Sequence, residues 1–168
     1  LERLTPNAVA IHIPIGIEAS FEGVVDLLKM KAYFFEGDRG ERIVEKEIPE
    51  NLKAEAEKRR HELIEKIVER DDALMSAYLE GKEPALADLK RVLRQAALAV
   101  DLVPVLCGSA LKNKGVQLVL DAVVDYLPSP SDLPPVKGTD PKSDAELERK
   151  PDDSEPFAAL AFKVATDP

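Results

Sequence analysis

The sequence predicts an α/β fold: the edge of an open sheet that carries an inserted α+β module, followed by a linker and one lone strand. Three observations predict it. Two short Val/Ile-rich runs, Ala8–Ile15 and Leu102–Cys107, read as buried strands. Between them lie short extended runs and then three helical patterns, so the intervening stretch folds as a module of its own. After the second run, a loop of small and polar residues leads into a strongly apolar helix, which is the strand–loop–helix order of an α/β sheet.

In the first run, Gly16 closes the strand, and Pro14 predicts that it ends there or lies at a sheet edge. His12 reads as a packed or edge histidine, since no second His, Cys or carboxylate stands beside it at ligand spacing. Gly23–Leu27, Lys31–Phe35 and Arg42–Ile48 read as further strands of a small, mostly antiparallel sheet, with a turn at Glu36–Gly40. Pro49 can open a helix without needing its missing N–H. The pattern from Glu50 to Glu69 follows, with Leu52, Ala56, Leu63, Ile64, Ile67 and Val68 as its buried stripe. Asp71 or Asp72 caps a second helix that runs to Leu79 and ends at Gly81, with Leu74, Met75 and Tyr78 inward. A third helix runs from near Pro84 to about Val100, with Leu86, Leu89, Val92, Leu93 and Ala96 on its apolar face.

The loop Gly108–Gly115 leads into a helix over Val116–Leu127, which Pro128 stops. Residues 128–156 hold more than half of the chain's 13 prolines and no apolar periodicity, which predicts a linker. Ala158–Ala165 resumes as a strand with no partner of its own kind left in the chain. Because the sequence opens on Leu1 rather than Met and closes just after this run, it reads as a fragment.

Composition bounds the function. At 168 residues the chain can bury about two-thirds of its unfolded surface. With 5% aromatics and no tryptophan, its core must rest on Val, Leu, Ile and Ala. A formal net charge of -9 argues against direct nucleic-acid binding and leaves either a solvated acidic surface or docking to a basic protein. The single cysteine, Cys107, excludes an internal disulfide and fits a reducing, cytoplasmic setting. No apolar run is long enough to span a bilayer, so no membrane partner is expected.

Catalytic signatures are missing from the sequence. It has no phosphate-binding G-x-x-x-x-G-K-[ST] loop, and Asn113-Lys114-Gly115-Val116 ends in valine where a guanine-reading motif needs aspartate. One Cys and two His, far apart, make no zinc set, so no metal ligand is assigned. Asp71-Asp72 and Asp152-Asp153 read as solvated charges. The stretch Val105-Leu106-Cys107-Gly108-Ser109-Ala110-Leu111-Lys112 places small residues at the carboxyl end of a strand, which is the ligand edge of open α/β sheets. It is also compatible with an ordinary strand-to-helix turn.

The wider sequence carries a resemblance. Phe21-Glu22-Gly23-Val24-Val25-Asp26-Leu27-Leu28-Lys29-Met30-Lys31-Ala32 closely resembles the translational GTPases of the elongation factor G family. So do Gly108-Ser109-Ala110-Leu111-Lys112-Asn113-Lys114-Gly115-Val116-Gln117, Leu120-Asp121-Ala122-Val123-Val124-Asp125-Tyr126-Leu127-Pro128-Ser129-Pro130 and the run from Leu160 to Pro168. The resemblance covers essentially the whole chain in order. It implies that residues 1–16 are a late strand of a P-loop GTPase sheet, 17–100 an inserted G′ subdomain, and 101–127 the last strand and helix of that sheet. Residues 128–156 would be a linker, and 157–168 the first strand of a second, β-barrel domain.

By the same resemblance, Gly108, Ser109, Ala110 and Leu111 form one guanine edge, which meets the base mainly through backbone groups. GTP or GDP with Mg is implied as cofactor of the parent enzyme, a GTPase that moves tRNA and mRNA through the ribosome. The nucleotide is not expected on this chain alone, because the phosphate loop, the switches and the Asn-Lys-x-Asp motif are not in it. The implied partner is the ribosome, through the large-subunit stalk protein and G′. Glu62, Glu65, Glu69 and Asp72 recur at three- and four-residue steps, which puts them on one helical face if the helix runs that far. Glu65, Glu69 and Asp72 are the predicted contacts for basic stalk residues, against the alternative of a solvated face. A related peptide-release or ribosome-rescue GTPase, or a stand-alone acidic interaction module, are the competing functional readings.

Overall fold

The computed structural model describes residues 5–161, 163 and 164. Two units follow one another in the chain, residues 1–127 and 128–168.

In the first unit, β1 (Ala8–Ala10) pairs in parallel with β6 (Val103–Val105), with Ala8 opposite Val103 and Ala10 opposite Val105. The intervening chain supplies a four-stranded antiparallel sheet in the order β2 (His12–Ile15), β3 (Gly23–Asp26), β4 (Lys31–Glu36), β5 (Arg42–Lys46). The single strand expected over Ala8–Ile15 is therefore two strands in two sheets. The change of sheet occurs at one residue: the Ile11 amide donates to Val105 O (3.0 Å), and Ile11 O accepts from the Leu27 amide (2.9 Å). A continuous apolar run carries no mark of such a switch, because both strands bury the same kind of side chain. Pro14 lies in β2, an edge strand of the four-stranded sheet, where its missing N–H breaks no central ladder.

The sheet is covered on both faces at its middle. Val25, Ile13, Ile15 and Ala32 join the large core formed with the helices, whereas Val24 packs on the other face with Phe21, Tyr33 and Phe35, against Cys107 and Leu118. Adjacent residues Val24 and Val25 thus point to opposite sides, as the two-residue period of a strand requires. The buried stripe of α1 (Glu50–Val68) comprises Ala56, Leu63, Ile64, Ile67 and Val68, as the periodicity predicts, whereas Leu52, expected in the same stripe, is only partly buried against that core. Helix α3 (Leu86–Leu98) buries Leu89, Val92, Leu93 and Ala96, while Leu86 is exposed. The Arg60 guanidinium ties these layers together. It donates to Leu27 O and Leu28 O, both at 2.7 Å, and meets Glu83 at 2.7 Å.

The helix ends follow local chemistry. Of the two candidate caps for α2 (Asp72–Leu79), Asp71 is the one used: its carboxylate accepts from the Ala73 and Leu74 amides at 3.1 and 3.0 Å. Those backbone bonds, together with Arg91, hold the Asp71 carboxyl below its ordinary pKa. The helix ends in a paired capping turn, with Gly81 N bonded to Tyr78 O and Lys82 N to Ala77 O. Gly81 is in the left-handed region (φ 81°) that such a turn requires. Helix α3 ends in the same way, with Val100 N to Ala97 O and Asp101 N to Ala96 O, but here the left-handed position (φ 61°) holds valine. That is why α3 stops at Leu98, short of the expected Val100.

The strand expected over Leu102–Cys107 is shorter, Val103–Val105, and only partly buried. Helix α4 (Val116–Tyr126) follows, with Tyr126 buried and Leu120, Val123 and Val124 exposed.

In the second unit, the expected linker over 128–156 contains an antiparallel hairpin, β7 (Val136–Thr139) with β8 (Glu146–Arg149). Its strands are exposed, so no apolar alternation announces them. The tip is closed by Asp140 N to Ala145 O (3.0 Å) and by the Asp140 carboxylate accepting from the Lys142 amide (2.8 Å). The strand expected over Ala158–Ala165 does not form among the described residues; Phe162 and residues 165–168 lie outside them.

Candidate functional site

The chain leaves β6 through Leu106 and Cys107 and enters the Gly108–Gly115 loop. Ser109 and Lys114 bridge it, with Ser109 N to Lys114 O at 2.7 Å and Lys114 N to Ser109 O at 3.0 Å. Asn113 N to Ala110 O (3.0 Å) tightens the tip. The loop base is a close backbone approach. A Cβ on Gly115, at φ +87°, would stand 3.1 Å from Cys107 O and 3.2 Å from Gly108 Cα. A Cβ on Gly108 would meet Lys114 O at 2.8 Å. Only glycine lets these two strands of the loop touch.

One side of the loop is pinned to the inserted module. Asn113 Nδ2 donates to Arg39 O (3.0 Å), and Lys114 Nζ to Phe21 O (3.2 Å). The other side is open: Ala110 and Lys112 are exposed, and Leu111 is 98% exposed. The amides of Ala110 and Leu111 make no hydrogen bond among the described residues. The structure thus brings Gly108, Ser109, Ala110 and Leu111 into one short loop whose tip offers backbone donors and small side chains. Such a surface can receive a flat polar group edge-on. The neighbouring Cys107 thiol is a poor nucleophile at neutral pH, because burial pushes its pKa up to about 11.

The predicted acidic contacts do not share one helix. Helix α1 ends at Val68, Glu69 is its C-cap, and Asp72 is the first residue of α2. The three- and four-residue steps therefore cross a helix boundary, and the single face expected from them is broken by the turn at Arg70–Asp71. All three residues are exposed. Glu65 already meets His61 Nε2 at 3.2 Å, and Glu69 meets Arg70 at 2.7 Å. His61 Nδ1 lies 2.7 Å from the Tyr78 hydroxyl, which links α1 to α2. Sequence reasoning missed this cluster, although the i, i+4 spacing of His61 and Glu65 was a signal for it. His12 is packed in an edge strand, as expected, at 8% exposure.

Among the described residues, no group of three or more His, Cys, Asp or Glu could hold a metal ion. Nor is any of their helices long and apolar enough to cross a membrane.

No protein-family profile matches the chain. It is similar in structure to ttk003000868 from Thermus thermophilus, known from a crystal structure, with a TM-score of 0.64 and 29% sequence identity. The match covers 77% of this chain and 20% of that one, so the chain corresponds to a small part of its relative.

Proposed function

We propose that this chain is part of a translational GTPase of the elongation factor G kind, carrying the stalk-contacting module and one wall of the guanine pocket. One observation supports this reading above the others. Strands β1 and β6 pair in parallel although residues 11–102 separate them, and the glycine-flanked Gly108–Gly115 loop leaves the carboxyl end of β6. That is the arrangement expected of a sheet into which a module has been inserted, with the ligand edge downstream. The motif resemblance around Phe21–Ala32 and Leu120–Pro130 points the same way.

On this reading the backbone amides at Ala110 and Leu111 face the edge of the guanine base. GTP, Mg and the chemistry of hydrolysis belong to parts of the parent enzyme outside this sequence. The exposed carboxylates of Glu65, Glu69 and Asp72 attract basic residues of the ribosomal stalk protein, chiefly by accelerating encounter.

Calorimetry tests both halves. The chain alone is expected to show no affinity for GTP or GDP, and a weak, salt-sensitive association with the C-terminal domain of the stalk protein. Reversing Glu65 and Glu69 to lysine should weaken that association and slow stalk-dependent GTP turnover by the parent enzyme. Tight nucleotide binding by the chain alone, or stalk binding indifferent to both reversals, would refute the proposal.

A further inference from the structure

The turn joining β4 to β5 abuts the Gly108–Gly115 loop. Asn113 Nδ2 donates to Arg39 O at 3.0 Å, and Gln117, in the first turn of α4, points its Nε2 at Gly40 O from 3.5 Å. Gly40 is buried in this contact and left-handed at φ +58°. A Cβ on it would stand 2.9 Å from Asn113 O and 3.0 Å from Lys112 O, so the two backbones touch where no side chain fits between them.

Two further ties anchor the root of the loop. Lys114 Nζ donates to Phe21 O at 3.2 Å. Phe21, Val24, Tyr33 and Phe35 form an apolar cluster, and Cys107, just before the loop, and Leu118, just after it, pack against that cluster. Phe21, Arg39 and Gly40 all belong to the inserted module, not to the strand and helix that flank the loop. The tip differs. The Ser109–Lys114 pair and the Asn113 amide close the loop on itself, but the Ala110 and Leu111 amides have no partner among the described residues. A loop whose root and one flank are fixed while its donors stay free binds with little further ordering, and the cost of ordering is what weakens flexible sites.

We propose that Gly40 and Asn113 are positioning residues for the guanine edge: through them the β4–β5 turn fixes the loop, so that the Ala110 and Leu111 amides meet the base already in place. The inserted module thereby sets how tightly the parent enzyme holds GTP or GDP, and the hydrolytic step is left to other parts of the enzyme. This rests on the guanine-edge reading above; the grip of the turn on the loop does not.

The test has two arms. In the 168-residue chain, hydrogen exchange followed by NMR reads the Ser109 and Lys114 amides, which bond across the loop. Asn113→Gly keeps the left-handed backbone (φ 50°) and removes the donor, whereas Gly40→Ala pushes the turn against the loop. Each should speed that exchange about fivefold, the effect of about one neutral hydrogen bond, and leave the amides of α1 and α3 unchanged. In the parent enzyme, both variants should raise the KM for GTP and the Kd for GDP about fivefold with kcat unchanged. Asp38→Asn, exposed in the same turn, should change neither constant. Faster loop exchange with unchanged KM and Kd, or a fall in kcat at constant KM, would overturn the positioning role and leave the guanine-edge reading standing. Unchanged loop exchange in both variants would overturn the grip itself. A parent enzyme that binds no guanine nucleotide would overturn the guanine-edge reading, and this proposal with it.

Discussion

Replacing Val100 with glycine should stabilise this protein, although it removes a side chain from the end of a helix. Val100 holds the left-handed position of the α3 capping turn at φ 61°, where a β-branched residue is strained by roughly 1–2 kcal/mol. Its side chain is 71% exposed, so little burial is lost with it. Glycine adds freedom to the unfolded chain, which returns about 0.5–1 kcal/mol of that relief. The net expectation is a gain of about 0.5–1 kcal/mol, or a rise in Tm of about 1–4 °C for a chain of this size.

The reciprocal substitution provides an internal standard. Gly81 holds the equivalent position after α2 at φ 81°, and a Cβ there would meet nothing within 4 Å. Gly81→Val therefore measures the backbone cost with room for its Cβ and, with the unfolded-state term of opposite sign, should destabilise by about 0.5–1 kcal/mol. Urea unfolding followed by circular dichroism reads both changes on one scale. If Val100→Gly lowers the midpoint while Gly81→Val also lowers it, backbone strain is not what distinguishes the two positions, and the reasoning fails.

Gly115→Ala should disturb the Gly108–Gly115 loop, because the added Cβ stands 3.1 Å from Cys107 O at a φ that disfavours it. The expected signs are a loss of about 1–2 kcal/mol in chemical denaturation and amide shifts from Cys107 through Val116, and an unchanged loop spectrum would contradict the close approach. Stability should also fall with acidification. The folded-state pKa of His12 is depressed, so between that value and about 6.5 the unfolded chain binds more protons than the folded one. Stability is therefore fully present above about pH 6.5 and is lost as pH falls through the folded value. His12→Gln should flatten the slope of denaturation midpoint against pH between about 7 and 5, and an unchanged slope would remove His12 from the account.

Much of the inserted module is legible in the sequence, because its elements carry strong local signals. The stripe of α1, the cap at Asp71 and the stop at Gly81 each follow from side-chain type at a given step. The strand switch at Ile11 is not legible, since the signal for a strand says nothing about which sheet it joins. The hairpin at Val136–Arg149 escapes because it buries almost nothing; its trace is the Asp140–Asp144 turn chemistry alone. The candidate loop is visible as a cluster of small residues, but its pinning through Asn113 and Lys114 depends on partners more than seventy positions away. The acidic face fails for a simpler reason: its regular spacing runs across a helix boundary that lies inside it.

The double engagement of Ile11 fixes how the inserted module and the parallel pair can move. One residue separates β1 from β2, leaving no slack for the module to swing as a tethered bead. A tilt of the four-stranded sheet must strain the Ile11 bond to Val105, and through it the root of the Gly108–Gly115 loop, whose far side the module already grips at Arg39 and Phe21. The module and the loop therefore act as one lever and its fulcrum, and a load placed on either is felt by the other.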